Sequence, residues 1–454
     1  MMIHPSRKAF LTLSGTALAA FATAACGAPA TTPTASAGAS VDGKGKTLSV
    51  LLSVNATYPD QQKQWMAALS ATFKAQTGAD LTFETFASGA EELTKIQTSV
   101  VAGRGPDVYG LGTTFTPTAY ATGAFMKLTD ADWAAIGGKN RFNPAALGIS
   151  GPDDKNLIGI PYTRPPLVMA YNTELLKSAG IDAPATSWNG LRDQAKKSMA
   201  TTPGTFGLSI GYKDGYDPWK YVWGLAIQTG NTLVNGSKAT INDPVVKKAY
   251  ETYFGWYGTD KIVDPAAAGW TNPQALAAFS QGKTAFLPMT TSRSMPTLDA
   301  SPVAGKYAFA VMPTTVDGTT PSGAVAASGI LAGDNLVIAD YSSVKDLALA
   351  FVNLATSKEE QLTYTKTFGD LPANVEALKA LADPRLAPMA QAASQAHATP
   401  FTGAWSDIQL ALMNVVVQSL PELSSGGVRS SSLDKLLADA QQKSQSSLDR
   451  VPKG

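Results

Sequence analysis

Between Thr47 and Tyr109 the chain alternates apolar runs with amphipathic ones, and this constrains the fold more than any other feature. Thr47–Val54 (TLSVLLSV) is β-rich and apolar and reads as a strand. Gln61–Thr77 carries Trp65, Leu69 and Phe73 at helical spacing and stops at Gly78. Asp80–Phe86 alternates Leu81, Phe83 and Thr85, a second strand. Glu91–Ala102 reads as a helix, and Gly103–Tyr109 as a turn into a third strand. Strand, helix, strand, helix, strand is the pattern of a parallel sheet flanked by helices. Ligands of such sheets bind beyond the carboxyl ends of the strands. Here those positions are Asn55–Tyr58 and Gly110–Phe115, which makes Asn55, Thr57, Thr113, Thr114 and Phe115 candidate ligand contacts.

A second organised stretch is Gly159–Ala200. Leu167–Tyr171 is a continuous apolar run bounded by Pro165-Pro166, too short for a helix, and reads as a buried strand. Asn172 is placed to cap the next helix through its side-chain oxygen. Gly180 supplies the left-handed residue that ends it, and Ser187 caps a further helix opening at Trp188. Later segments read as a strand at Phe206–Ile210, helices at Asp217–Thr229 and 242–258, and a helix end, turn and strand over Ala275–Met289. Gly333–Ala339 is expected to return the chain to the first sheet, and the last helices fall at about 405–420 and 432–448.

At 454 residues, two domains is the first expectation. With 44% hydrophobic and 16% charged residues the chain is globular. Once Arg7 and Lys8 of the leader are set aside, 34 basic side chains face 35 acidic ones, which argues against a nucleic-acid partner. The two histidines are His4 and His397, and the single cysteine is Cys26. The body therefore offers no His/Cys metal cluster, no internal disulfide, and at most His397 for a nucleophile–His pair.

Residues 1–25 read as a secretory signal, with a basic start at His4–Lys8 and an Ala-rich apolar run over Phe10–Ala25. Thr23-Ala24-Ala25-Cys26-Gly27 resembles the bacterial lipobox, in which the Cys becomes the lipidated N-terminus. Ser6–Leu11 also resembles the twin-arginine export motif, with Lys8 in place of the second Arg. Gly27–Lys46 is mostly Ala, Thr, Pro, Ser and Gly with hardly any apolar bulk, a tether spanning about 25 Å root-mean-square.

The ordered motifs resemble one family. Gly159-Ile160-Pro161-Tyr162, Tyr171-Asn172, Ala179-Gly180-Ile181 and Pro184 to Leu191 follow in the order found in extracellular solute-binding proteins of ABC importers, specifically the carbohydrate-binding, maltose-binding-protein-like family. Gly103–Tyr109, Tyr120–Leu128, the Phe279–Phe286 segment, Ser357–Gln361 and Phe368–Pro372 extend the resemblance over nearly all of 47–448.

The resemblance implies an α/β, type II periplasmic-binding-protein-like fold of two lobes joined by a hinge that the chain crosses more than once. Lobe one is expected at 47–160 plus 314–367, and lobe two at 161–313 plus 368–454. It also implies capture of a small-molecule ligand, a mono- or oligosaccharide, by lobe closure and delivery to an ABC permease. Such a protein is an exported monomer tied to the outer face of the membrane only through lipid on Cys26, without cofactor, metal or catalytic residue. A polyol, sugar phosphate or small anion is the competing ligand class, and a secreted glycoside hydrolase the rival outside the class.

Trp405 falls where the family stacks a sugar on a Trp at a helix start. Tyr216 and Trp219 offer aromatic contact in the second lobe, with Trp223 more consistent with core. Tyr162 and Arg164 follow the lobe crossing, where the Arg164 fork could clamp ligand or bridge lobes. Trp270 and Arg293 flank the Gly282 turn. Asp370 is either a hydroxyl acceptor or a turn residue, and Asp334 reads as structural. The adjacent pairs Glu91-Glu92, Asp153-Asp154 and Glu359-Glu360 do not face each other as a glycosidase pair would, and read as solvated charge.

Overall fold

The computed structural model describes residues 41–451. The expected signal, Cys26 and most of the tether lie outside them. The body begins earlier than its first strand. The Gly43 amide donates to the Thr77 carbonyl at 2.8 Å, and a Cβ on Gly43 would lie 2.6 Å from that of Ala79. The last tether residues are thus part of the packed body, because glycine lets the backbone approach so closely.

The first lobe grows from β1 (Thr47–Ser53), α1 (Pro59–Thr77), β2 (Asp80–Phe86), α2 (Gly89–Ala102) and β3 (Val108–Gly112). β1 runs parallel to both β2 and β3, as the alternation of strands and helices requires. α1 ends at Gly78, which takes φ +76. The sheet is completed by β4 (Ile160–Thr163) and, much later in sequence, by a return strand.

The second lobe starts with β5 (Val168–Asn172), followed by α3 (Thr173–Ser178) and α4 (Trp188–Thr201). Asn172 Oδ1 accepts from the Glu174 and Leu175 amides at 3.0 and 3.1 Å, and Ser187 Oγ from Gly190 at 3.2 Å, so both expected caps form. Then come β6 (Phe206–Leu208), α5 (Pro218–Ile227), α6 (Pro244–Tyr257), β7 (Thr284–Thr290) and β8 (Tyr307–Ala310). The second sheet has the order β8-β5-β7-β6, with β5 antiparallel to both neighbours and β6 parallel to β7.

The return strand β9 (Asp334–Ile338) inserts antiparallel between β3 and β4, giving the first sheet the order β2-β1-β3-β9-β4. α7 (Lys345–Ala355) and α8 (Lys358–Phe368) cover it, with the Phe73 and Phe351 rings edge-on at 6.1 Å. β4 belongs to this sheet, so the first crossing lies after Thr163. Phe368 and Ala373 also pack in the first core, whereas Met389 packs with β5 and β8 residues.

The second core is aromatic. Trp188 lies 4.9 Å from Trp256, and Tyr221 stacks 5.1 Å from Tyr253. Full burial of each such side chain stabilises by about 1.5–3 kcal/mol. The long C-terminal helices α9 (Trp405–Ser424) and α10 (Ser430–Arg450) close this lobe. The start of α9 also reaches the first lobe, where Thr118 Oγ1 donates to the Gly403 carbonyl at 2.9 Å.

Candidate functional site

Strand ends from both sheets meet at one cleft. β1 delivers Asn55 and Thr57, β3 delivers Thr113, Thr114 and Phe115, and β7 delivers Thr291 and Arg293. The turn before α5 supplies Asp214, Tyr216 and Asp217, α5 adds Trp219 and Lys220, and α9 adds Gln409 and Met413. The space enclosed is about 320 Å³, within the range of small-molecule sites. Its lips are close: a Cβ on Gly215 would lie 3.5 Å from Ser88 Cβ.

The residues expected from sequence divide into two groups. Asn55, Thr57, Thr113, Thr114, Phe115, Tyr216, Trp219 and Arg293 all line the cleft. Within that group, Asn55 Oδ1 is committed to the Thr57 and Tyr58 amides, at 3.2 and 3.0 Å. Thr113 Oγ1 donates to the Leu331 carbonyl at 3.0 Å. The Thr57 and Thr114 hydroxyls make no hydrogen bond among the described residues.

The other five do not line it. Tyr162 is buried in the first core, edge-on to Tyr364 at 5.2 Å. Trp405 is wholly buried, its ring 5.9 Å from that of Trp219 at 68°, so it backs the cleft aromatic instead of offering a face itself. Trp270 is half-buried two residues before Asn272, which does reach the cleft. Asp370 is buried behind Arg293. Arg164 turns into the hinge, where Nη2 donates to the Ala146 carbonyl at 2.8 Å and Asn335 Oδ1 at 3.0 Å, and Nη1 to its neighbour Thr163 at 3.1 Å. Burial lowers the Arg164 guanidinium to about 10, with only Asp334 opposing the shift.

Both cations of the cleft are already paired. Lys220 Nζ donates to Asp217, whose other oxygen accepts from Asn272 Nδ2 at 2.5 Å. Arg293 Nε donates to Asp370 at 2.5 Å, and its Nη2 reaches Asp334 at 3.4 Å. Burial raises the Asp370 carboxyl to about 6 against the pull of Arg293. Asp214 accepts the Tyr216, Asp217 and Asn272 amides at 2.9–3.2 Å and so holds the aromatic turn in shape.

Glu92 corrects the sequence reading. It lines the cleft and is 2% exposed, where solvated charge was expected for the Glu91-Glu92 pair. Its Oε1 accepts the Gly112 amide at 3.1 Å, and burial pushes its carboxyl well above the usual range. Gln409 and Asp334 were also missed as lining residues. The signal for Glu92 was helical phase: Gly89, Glu92, Leu93 and Ile96 form the buried face of α2.

The model of the bacterial extracellular solute-binding protein family matches residues 55–362. The chain belongs to that family. A curated relative of this solute-binding protein, the diacetylchitobiose binding protein DasA of Streptomyces coelicolor, is 29% identical over 410 residues, covering 85% of this chain and 87% of the relative. Among solved structures, the GacH receptor of Streptomyces glaucescens superposes with TM-score 0.70 at 21% identity, over 90% of this chain and 99% of that one. Maltose-bound MalE3 of T. maritima gives 0.71 at 19% over 87% and 99%. A ribitol-bound ABC transporter solute-binding protein from Agrobacterium radiobacter K84 gives 0.73 at 22% over 88% and 99%. They establish a type II, two-lobed fold. No helix among the described residues is long and apolar enough to cross a membrane.

Proposed function

We propose that this solute-binding protein captures an uncharged polyhydroxylated ligand, a mono- or oligosaccharide, and presents it to an ABC permease by closing its lobes. The observation that carries this reading is the pairing of both cleft cations, Lys220 with Asp217 and Arg293 with Asp370 and Asp334. A sugar phosphate or organic anion would have to compete with those carboxylates for the same two cations. Free hydroxyls at Thr57 and Thr114, with the Trp219 and Phe115 rings, suit a sugar's hydroxyls and apolar ring face. The diacetylchitobiose, acarbose and maltose named for its relatives are all carbohydrates; ribitol keeps a polyol as the second reading.

Closure follows if ligand contacts both lobes and so binds the closed state better. We take the first lobe as the β1–β4 and β9 sheet with α7, α8 and the stretch to Asn374, and the second as the β5–β8 sheet with α9 and α10. The earlier assignment of 368–374 to the second lobe changes because Phe368 and Ala373 pack in the first core. Binding without catalysis, a monomeric state and an anchor on Cys26 complete the proposal.

Thermal unfolding across a panel of sugars, polyols and organic anions tests it, because a ligand of the native state raises the melting temperature. A sugar should shift the transition and an anion should not. A shift from an anion alone defeats the carbohydrate reading, and steady product release from an oligosaccharide defeats binding without catalysis.

A further inference from the structure

One end of the cleft is built from α2, the turn before α5, and the start of α9. It holds three polar side chains with hydrogen-bonding capacity to spare, two of them buried without a partner and the third with a single one. Glu92 accepts a single hydrogen bond, from the Gly112 amide, and no cation reaches it within ion-pair distance among the described residues. Gln409 is 4% exposed, its Oε1 is buried without a partner, and its side chain makes no hydrogen bond among the described residues. The Tyr216 hydroxyl is likewise buried without a partner. All three line the same cleft, and among the carboxyls around Tyr216, Glu92 acts on it most strongly. The elements also converge here, since a Cβ on Gly89 would meet the Phe115 ring at 3.2 Å and the Leu410 side chain at 3.9 Å.

Native proteins seldom bury polar groups without partners, and two such groups beside a carboxyl with a single bond, all lining one cleft, point to a ligand. The chemistry of the three narrows which. Desolvation, reinforced by Asp334 and opposed by the Gly112 amide and Lys220, raises the Glu92 carboxyl well above its ordinary range and so favours the form that has an O–H to donate. Tyr216 brings a second O–H. Gln409 brings a carbonyl oxygen that must accept. Two O–H groups and an unpartnered carbonyl oxygen beside the apolar side chains of Leu410, Met413 and Phe115 are the complement of an N-acyl group. Its carbonyl takes the O–H donors, its N–H goes to Gln409, and its methyl meets the apolar wall.

We propose that this end of the cleft is an amide-recognising subsite, in which Glu92, Tyr216 and Gln409 select a sugar bearing an acylated amino group over the same sugar bearing a hydroxyl. The proposal rests on the carbohydrate reading and deepens it.

Calorimetric titration of the wild-type protein with glucose, glucosamine and N-acetylglucosamine, and with their β-1,4-linked disaccharides, tests it. The acetylated member should bind at least about tenfold tighter than its hydroxyl counterpart. Glu92→Ala and Gln409→Ala should erase that preference, whereas Glu92→Gln, which still carries a donor, should keep affinity within about threefold. Equal affinity for plain and acetylated sugars overturns the subsite and leaves the carbohydrate reading standing. Tighter binding of the free amine, or a Glu92→Gln loss as large as that of Glu92→Ala, overturns it in favour of a charged carboxylate. Failure of every sugar in a wider panel, with an anion or other solute bound instead, defeats the carbohydrate reading and the subsite together.

Discussion

Arg293 reaches from the second lobe to the buried Asp370 carboxylate of the first, with Nε to Oδ1 at 2.5 Å. The two partners are unequal: the Arg293 side chain is 45% exposed and that of Asp370 is not exposed at all. Removing either one therefore has different consequences. Asp370→Asn leaves a half-exposed guanidinium that water and Asp334 still solvate, and should cost about 1–3 kcal/mol. Arg293→Ala strands a carboxylate away from water and should cost more, about 3–5 kcal/mol. Urea unfolding at neutral pH checks the order; equal losses would show that Asp370 is solvated in the native protein.

Arg164 gives the opposite expectation from the one its sequence position invites. It fixes the Ala146 carbonyl and Asn335 Oδ1 inside the hinge, and it does not line the cleft. Arg164→Ala should destabilise by about 2–4 kcal/mol, since two buried acceptors lose a charged donor. Ligand affinity measured well below the melting temperature should change less than about threefold. A large loss of affinity with stability intact would place the guanidinium on the ligand.

Trp405 is the support of a cleft aromatic, packed edge-on against Trp219. Truncation to Ala should cost about 3–5 kcal/mol through the cavity left behind. Trp405→Phe should cost clearly less, because the indole N–H it removes is buried without a partner. Denaturation of both variants decides it; a Phe variant as damaged as the Ala variant would mean that the N–H has a partner in solution.

The three parallel strands of the first sheet were legible because they alternate with helices within local sequence, and periodicity acts locally. The return of β9 into that sheet was legible through its apolar run and the family pattern. Side-chain direction was not. Both Tyr162 and Arg164 were expected to follow the crossing, but Tyr162 lies before it, in β4, and turns into the first core, while Arg164 turns into the hinge, a choice made by Tyr364 and Asn335 about 170 to 200 residues away. Trp405 stands at the expected helix start, yet Trp219 occupies the cleft-facing place. Glu92 was misjudged because its neighbour Glu91 is exposed, so adjacency outweighed helical phase.

Glu92 makes stability depend on pH in a defined direction. Its carboxyl holds its proton more tightly in the fold than in the unfolded chain, because burial disfavours the charge. The stabilisation this provides is complete below about 4.3, the ordinary Glu value, and is lost as pH rises through the higher folded value. Glu92→Gln has no such proton to lose. The variant should match the wild type near pH 4 and exceed it increasingly toward pH 8, read as the difference in melting temperature at each pH. A difference that stays constant with pH would mean that Glu92 is solvated.

Tyr58 stands just before α1 in the first lobe and donates its hydroxyl to the Arg293 carbonyl of the second at 2.7 Å, with Thr297 Oγ1 at 3.0 Å. Its ring stays on the Phe368 side, 6.4 Å between centroids, so Tyr58→Phe removes the bond and leaves the packing. If the bond exists only when the lobes are together, its loss lowers the closed population. Affinity should then fall by about 3–10-fold, the equivalent of one hydrogen bond, while the ligand-free melting temperature barely moves. Small-angle scattering should show the ligand-free variant no more compact than the wild type, and the saturated one just as compact. If the bond instead persists through opening, near the hinge, stability falls and affinity does not. Calorimetric titration and thermal unfolding of the one variant therefore tell a closure contact from a hinge strut.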